Sequence, residues 1–343
     1  MPELAAHAED VLRRWPACTS RGTKAMQKAA RASSSRGADL IGRVLLDLAE
    51  MVFRAARDIP GAGLRLDRRT NRHRLALNMD LGLHGKTAIV AAASRGLGKA
   101  VAHAFASEGA NVVLFARDPA SIEAAAADVR SVAVDGAQIL GLSADVTRLS
   151  DLERVVTETV DRFDGADIVF NNAGGPKPGV FGDLNDDDWR SAVDLNLMSA
   201  IRLTRLCLPH MRARHWGRVI VSTSYSVKQP IHTLMLSNAV RSATTAWAKS
   251  LSDQVAKDGI TVNALAPGQI ETGRIRQYAE DVARREGHAP QDVEHNMLAS
   301  IPTGRFGRPE EFAAAAAFLA SERASYITGV TLLVDGGLFR GTY

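Results

Sequence analysis

Between residues 86 and 334, seven short apolar runs alternate with longer amphipathic stretches, and nothing else in the chain restricts its fold as much. The runs are TAIVAA (87–92), NVVLFA (111–116), QILGLS (138–143), DIVFNN (167–172), RVIVST (218–223), ITVNAL (260–265) and VTLLV (330–334). They show no regular polar alternation, so a sheet built from them has no face to offer to water. Strands of that kind are buried on both sides in parallel sheets. The stretches between them, such as LGKAVAHAFASEG and LERVVTETVDRF, repeat their apolar residues at helical spacing. A strand, a helix and a second parallel strand join through a right-handed crossover, which lays helices on both faces. The pattern predicts an α/β chain with a doubly wound parallel sheet of about seven strands.

The chain of 343 residues divides where this alternation begins. Residues 1–78 carry 15 Lys and Arg against 8 Asp and Glu, whereas the whole chain carries 42 against 38, so residues 79–343 are net acidic. Three readings of the basic extension stand, in this order. It is a start-site artefact, because Met79 directly precedes DLGLHGKTAIV; or a flexible appendage, from the RASSSRG stretch; or a targeting segment, against which Glu9, Asp10 and Asp47 count. Within it, ADLIGRVLLDLAEMVFRAAR (38–57) has the spacing of a docking or membrane-surface helix. Residues 79–343 read as one catalytic domain. No apolar run reaches the length of a membrane span. Cys18 and Cys207 are the two cysteines, which predicts a reducing cytoplasm and no disulfide framework. No Cys/His cluster has metal-ligand spacing, and the body shows no basic, aromatic-interleaved face for nucleic acid.

The first apolar run leads into AAASRGLGKAVA. Ser94, Arg95, Gly96, Leu97 and Gly98 form a turn whose glycines let backbone approach a pyrophosphate at a helix N-terminus. In a Rossmann-type sheet the end of the second strand decides the cofactor: a carboxylate there bonds the ribose hydroxyls of NAD. This chain has Ala116 and Arg117 instead, with Arg95 in the turn. Two guanidiniums and no carboxylate suit a 2′-phosphate and predict a preference for NADP(H) over NAD(H).

Seven motifs in order, SRGLG, ADVT, NNAGG, DLNLMSA, GRVIVSTS, APGQIET and YITGVTLLVDGG, resemble the short-chain dehydrogenase/reductase family, in particular its 3-oxoacyl-acyl-carrier-protein-reductase-like branch. The resemblance covers about residues 86–341. It implies that Asp145 and Val146 lie against the adenine, and Asn172, Ala173 and Gly174 beside a ribose. Pro267, Gly268 and Ile270 then face the nicotinamide, with Thr272 near its carboxamide or the phosphates. It also implies a carbonyl/alcohol substrate, a 3-oxoacyl thioester or another ketone, with a substrate lid over 273–302 and a homotetramer or dimer through the helical stretches 186–213 and 232–257. Leu203, Leu206, Leu208, Ala246, Trp247 and Leu251 are the contact candidates there, with core packing as the other reading for several of them.

Two departures stand out. The family's turn usually opens with Thr-Gly, where this chain has Ala91-Ala92. In the family, Asn and Ser are joined by a Tyr and, four residues on, a Lys. Asn196 and Ser224 match, but the Tyr and Lys places hold Ser237 and Arg241. The resemblance implies that the lysine place binds the nicotinamide ribose, which Arg241 can still grip. A serine hydroxyl, however, is a far weaker acid than a phenol, and a guanidinium does not relay protons. Lys228 and His232 rank level as replacement acids, with Tyr225 behind them and a water held by Ser224 and Ser237 as a fourth source. The sequence thus predicts a carbonyl oxidoreductase with altered proton chemistry. A catalytically impaired NADP-binding regulatory or scaffold protein is the second reading.

Overall fold

The computed structural model describes residues 62–63, 78–134 and 136–342. The expectations for the basic extension, its 38–57 segment and Cys18 therefore fall outside the described residues. Contacts group the chain into two units, Met1–Asp80 and Leu81–Tyr343. In the first, Ala62–Gly63 pairs antiparallel with Asn78–Met79.

The second unit holds the expected sheet. Its strands are β1 (Thr87–Ala91), β2 (Asn111–Ala116), β3 (Ile139–Ser143), β4 (Ile168–Asn171), β5 (Gly217–Ser222), β6 (Ile260–Pro267) and β7 (Thr331–Val334). They lie in the order β3-β2-β1-β4-β5-β6-β7, and every pairing is parallel. The strand order reverses between the neighbours β1 and β4, and the strand ends flanking that point are where such sheets bind ligands.

Helices α1 (Gly96–Ser107), α2 (Pro119–Val132) and α3 (Leu149–Phe163) connect the first four strands. Between β4 and β5 run α4 (Asp186–Val193), one turn of π-helix (Asp194–Met198) and α5 (Ser199–Ala213). Then follow α6 (Met235–Val255), α7 (Gly273–Glu286), α8 (Pro290–Ser300) and α9 (Pro309–Ala320). Successive strand residues point to opposite faces. Ala88 and Val90 of β1 join a core with Phe105 of α1 and Phe312 of α9, while Ile89 and Ala91 join a second with Leu152, Leu203 and Met211. Phe170 of β4 meets Phe312 edge to face, with centroids 6.3 Å apart. Full burial of such side chains stabilises by about 1.5–3 kcal/mol each.

Two expectations need adjusting. Leu203, named as an intersubunit contact, is buried in the chain's own core, whereas Leu206, Leu208, Trp247 and Leu251 lie half-buried over it. The stretch 186–213 is not one α-helix but two, phased by the π turn. Cys207 is a core residue whose thiol burial pushes up to about 12. Helices α7 and α8, the expected lid, pack together through their own apolar cluster of Ala279, Ala283, Val293 and Met297.

Candidate active site

At the end of β1 the chain turns at Ala92, which holds a left-handed φ of 49°. That conformation costs a non-glycine residue about 1–2 kcal/mol. The turn continues through Ser94 and Arg95 into α1, where Gly96 has a φ of 58°. At Gly98 a Cβ would lie 2.5 Å from the Ala92 carbonyl oxygen, so only glycine lets α1 pack down onto the turn. No side chain caps the N-terminus of α1, in contrast to α2, where Asp118 accepts from the Ser121 amide at 2.7 Å. The Leu97 and Gly98 amides belong to that uncapped first turn. Helix N-termini in this state are ready partners for an anion.

Other strand ends gather round this turn. Asn172, just beyond β4, donates through Nδ2 to the Ala91 carbonyl at 3.3 Å and the Ala92 carbonyl at 3.4 Å. The Thr272 methyl lies 3.6 Å from where a Gly96 Cβ would stand, so the loop after β6 also reaches the glycine turn. Ile270 in that loop is buried and bridges to Gly307, whose amide donates to the Gln269 carbonyl at 3.0 Å. Pro267 ends β6, and a Cβ on Gly268 would lie 2.6 Å from Asp335 Cβ, which fixes the C-terminal segment against this loop.

Arg95 and Arg117 are both exposed, and neither forms an ion pair among the described residues. Asp145 follows β3 and accepts from the Thr147 amide at 2.9 Å and its hydroxyl at 2.8 Å. Burial opposes its charge, but the Thr147 bonds and the charges of Arg117 and Arg148 hold its pKa below the usual range. Arg117 thus faces Asp145 across the ends of β2 and β3. Val146 lines a small cleft with Ala91, Asn171, Asn172 and Ser199.

The other half of the site centres on the carbonyl of Gly174. Asn196, in the π turn, donates to it through Nδ2 at 3.0 Å, and Arg241 donates through Nη2 at 3.4 Å. Asn196 is buried, and its side-chain oxygen has no partner. Thr244 of α6 takes up the Asn196 main-chain carbonyl at 3.2 Å. Arg241 is 8% exposed and also donates through Nη1 to the carbonyls of Ser222 at 3.0 Å and Thr223 at 3.2 Å. Burial, with the Arg274 charge behind it, pulls its pKa down to about 10. It remains a cation at neutral pH.

Ser224 caps a short turn over Tyr225–Val227, its Oγ accepting from the Ser226 amide at 3.1 Å. That leaves the Ser224 proton free to donate. Ser237 stands one turn before Arg241 on α6, 8% exposed, and its hydroxyl forms no bond among the described residues. The three candidate acids fall differently. Lys228 Nζ lies 5.9 Å over the Phe339 ring, and His232 is exposed on the loop before α6. Burial raises the Tyr225 phenol to about 12, with the Tyr278 and Asp335 charges adding and the Gln269 side chain opposing.

Residues the sequence did not single out complete the rim. Tyr278 of α7 shares a hydrogen bond with Thr233 at 3.3 Å, tying the lid to the loop before α6. Arg274, two residues beyond Thr272, rests against Gly175. The lid holds Arg274, Arg276, Arg284 and Arg285, and only tertiary placement separates the first from the others.

Residues 91–339 match the family model described as enoyl-(acyl carrier protein) reductase. The chain is 36% identical over 261 residues to the 3-oxoacyl-acyl-carrier-protein reductase of Salmonella typhimurium, which covers 76% of this chain and 99% of that one. It is 33% identical over 256 residues to dehydrogenase/reductase SDR family member 4 of Bos taurus, covering 74% and 88%. The crystal structure of L-sorbose reductase from Gluconobacter frateurii, complexed with NADPH and L-sorbose, is similar with a TM-score of 0.72 and 34% identity, covering 77% of this chain and all of that one. With a glycine turn at the first strand of a seven-stranded parallel sheet, and relatives matched along nearly their whole length, the chain belongs to the short-chain dehydrogenase/reductase family of oxidoreductases.

Proposed function

We propose that the protein is a cytoplasmic, NADP(H)-preferring reductase of a carbonyl/alcohol pair whose proton comes from solvent rather than from a side-chain acid. The observation that carries this reading is the pairing of Ser237 and Arg241, one turn apart and both buried, at the place where a phenol and an ammonium are expected.

The residues present fit a dinucleotide. The uncapped first turn of α1 and the Arg95 and Arg117 guanidiniums suit a pyrophosphate and a 2′-phosphate. The unsatisfied Asn196 oxygen and the remaining N–H bonds of Arg241 suit ribose hydroxyls or an ordered water. When bound, the nicotinamide supplies the hydride in reduction and takes it in oxidation. Ser224 donates its free proton to the substrate oxygen as a hydrogen bond. Arg241, fixed by three main-chain carbonyls, places a positive charge near the oxygen that becomes negative. Ser237 holds a water next to that oxygen. Pushed to about 12, Tyr225 is poorly matched to proton transfer near neutrality.

Chemical rescue tests this. At fixed pH and saturating NADPH, the rate of ketone reduction should rise with the concentration of a small buffer acid such as imidazolium. A rate independent of buffer acid and lost on His232→Ala or Lys228→Ala would assign the proton to that side chain instead. A homodimer or homotetramer through α5 and α6 is part of the proposal, with the half-buried Leu206, Leu208, Trp247 and Leu251 as contacts.

A further inference from the structure

Two guanidiniums flank the glycine pair after β4, and neither has a carboxylate. Arg241 bonds the Gly174 carbonyl from below, fixed by Ser222 and Thr223. Arg274 covers the next residue: a Cβ on Gly175 would lie 2.7 Å from its Nη2, 3.0 Å from its Cζ and 3.1 Å from its Nε. Any side chain at position 175 would displace it, so Gly175 keeps the place open for a guanidinium. The two charges are close enough for Arg274 to disfavour the charge on Arg241.

The nearby carboxylates do not neutralise them. Asp335 gives one oxygen to the Gly337 amide and the other to the Phe339 amide, both at 2.9 Å. Glu271 lies 3.8 Å from Arg276. Among the described residues, Arg274 forms no ion pair and Arg241 only main-chain bonds. Two like charges, one of them more than nine-tenths buried, destabilise each other unless something negative completes the set. Arg241 touches the carbonyl of Thr223, the residue before Ser224, so an anion held there lies beside the reacting oxygen. A short molecule that places a carboxylate next to its ketone meets both.

We propose that Arg241 and Arg274 form an anion clamp for the substrate, and that the substrate class is a short oxo acid, with the ketone toward Ser224 and the carboxylate between the two guanidiniums. The inference rests on the reductase reading above. It makes α7 a reporter of substrate charge, because Arg274 rides on the lid and meets its partner only when an acid is bound.

Two measurements test it together. NADPH affinity is read by fluorescence titration for the wild type, Arg274→Gln and Arg274→Lys. Then 2-oxopentanoate and its methyl ester are compared, by kcat/KM and by calorimetric binding to the NADP+ complex. The wild type should favour the acid over the ester by about tenfold or more, in line with charge-assisted bonds. Arg274→Gln should collapse that ratio toward one, Arg274→Lys should keep part of it, and NADPH affinity should stay within about twofold. Binding of the acid but not the ester supports the clamp even without turnover. Equal handling of acid and ester, or an Arg274→Gln variant that loses NADPH affinity while the ratio stands, overturns it; the latter gives Arg274 to the cofactor phosphates. Failure of the wild type to bind NADPH would remove the reductase reading first, and the clamp with it.

Discussion

Asn172 holds the carbonyl of Ala92 through its side-chain amide at 3.4 Å, and Ala92 holds a φ of 49°. The end of β4 is thereby tied to a strained turn after β1. Since Ala92 bears a methyl group where glycine would be unstrained, Ala92→Gly should stabilise the protein by about 1 kcal/mol, the strain relieved less the entropy glycine adds to the unfolded chain. Thermal unfolding should shift upward by about 2–4 °C for a domain of this size. A lower Tm would show that the turn relies on the methyl group for packing.

The two exposed arginines should govern cofactor choice. Arg117→Ala and Arg95→Ala are each expected to weaken NADPH by about 10–100-fold, the worth of a charge-assisted contact to phosphate. NADH should change by less than about threefold. Fluorescence titration of both cofactors decides it, and equal losses for the two would place these side chains away from the 2′-phosphate.

Ser224→Ala should lower kcat by about 10²–10³ while leaving NADPH binding intact, because the hydroxyl acts on charge that develops only during reaction. Single-turnover measurements with preloaded NADPH separate the two effects. Retained turnover would move the substrate oxygen elsewhere.

The paired change Ser237→Tyr with Arg241→Lys should rebuild an acid with a neighbour that lowers its pKa. On a neutral activated ketone the double variant is expected to exceed the parent by about tenfold or more, within the range of general acid catalysis. The tyrosine alone should gain little. No gain in the double variant, with cofactor affinity unchanged, would argue that substrate geometry has diverged along with the acid.

Glu311, in the first turn of α9, offers a pH test. It accepts from Arg305 at 2.7 and 2.8 Å and from the Arg308 amide at 2.8 Å, bracing the segment that carries Gly307 against Gln269. These bonds, Arg305 first, hold its pKa at about 2, against an ordinary value near 4.5. A carboxylate lowered on folding stabilises above its unfolded pKa and loses that contribution as pH falls through the folded one. The Tm gap between wild type and Glu311→Gln should therefore be full at pH 6 and close progressively between about 4.5 and 2. A gap independent of pH would mean that the charge is not what matters.

Much of this was legible in the chain. All seven strands fall on the apolar runs because those runs are too short for buried helices and rich in β-branched residues. Ser237 and Arg241 stand where counting from Ser224 put them, on one face of α6. What the sequence hid has physical reasons. The π turn at Asn196 leaves helical spacing nearly intact on either side. Arg274 looks like any solvated lid arginine until Gly175 is seen beneath it. The spacing of Leu203 fits either core or interface, and only the packing of α5 puts it in the core.

That extra residue between α4 and α5 has a consequence for how the chain can change. A π turn holds about one residue more than an α turn for nearly the same rotation, so deleting one position in 194–198 would restore a regular helix and leave α4 and α5 almost in phase. Asp186 to Val193 would keep their side toward the body, but the residues inside the turn would be re-phased and the Asn196 amide would lose its aim at the Gly174 carbonyl. The length of this segment, as well as its side chains, therefore aims Asn196. In a lineage of such chains, insertions and deletions would accumulate in the lid and stop at this turn.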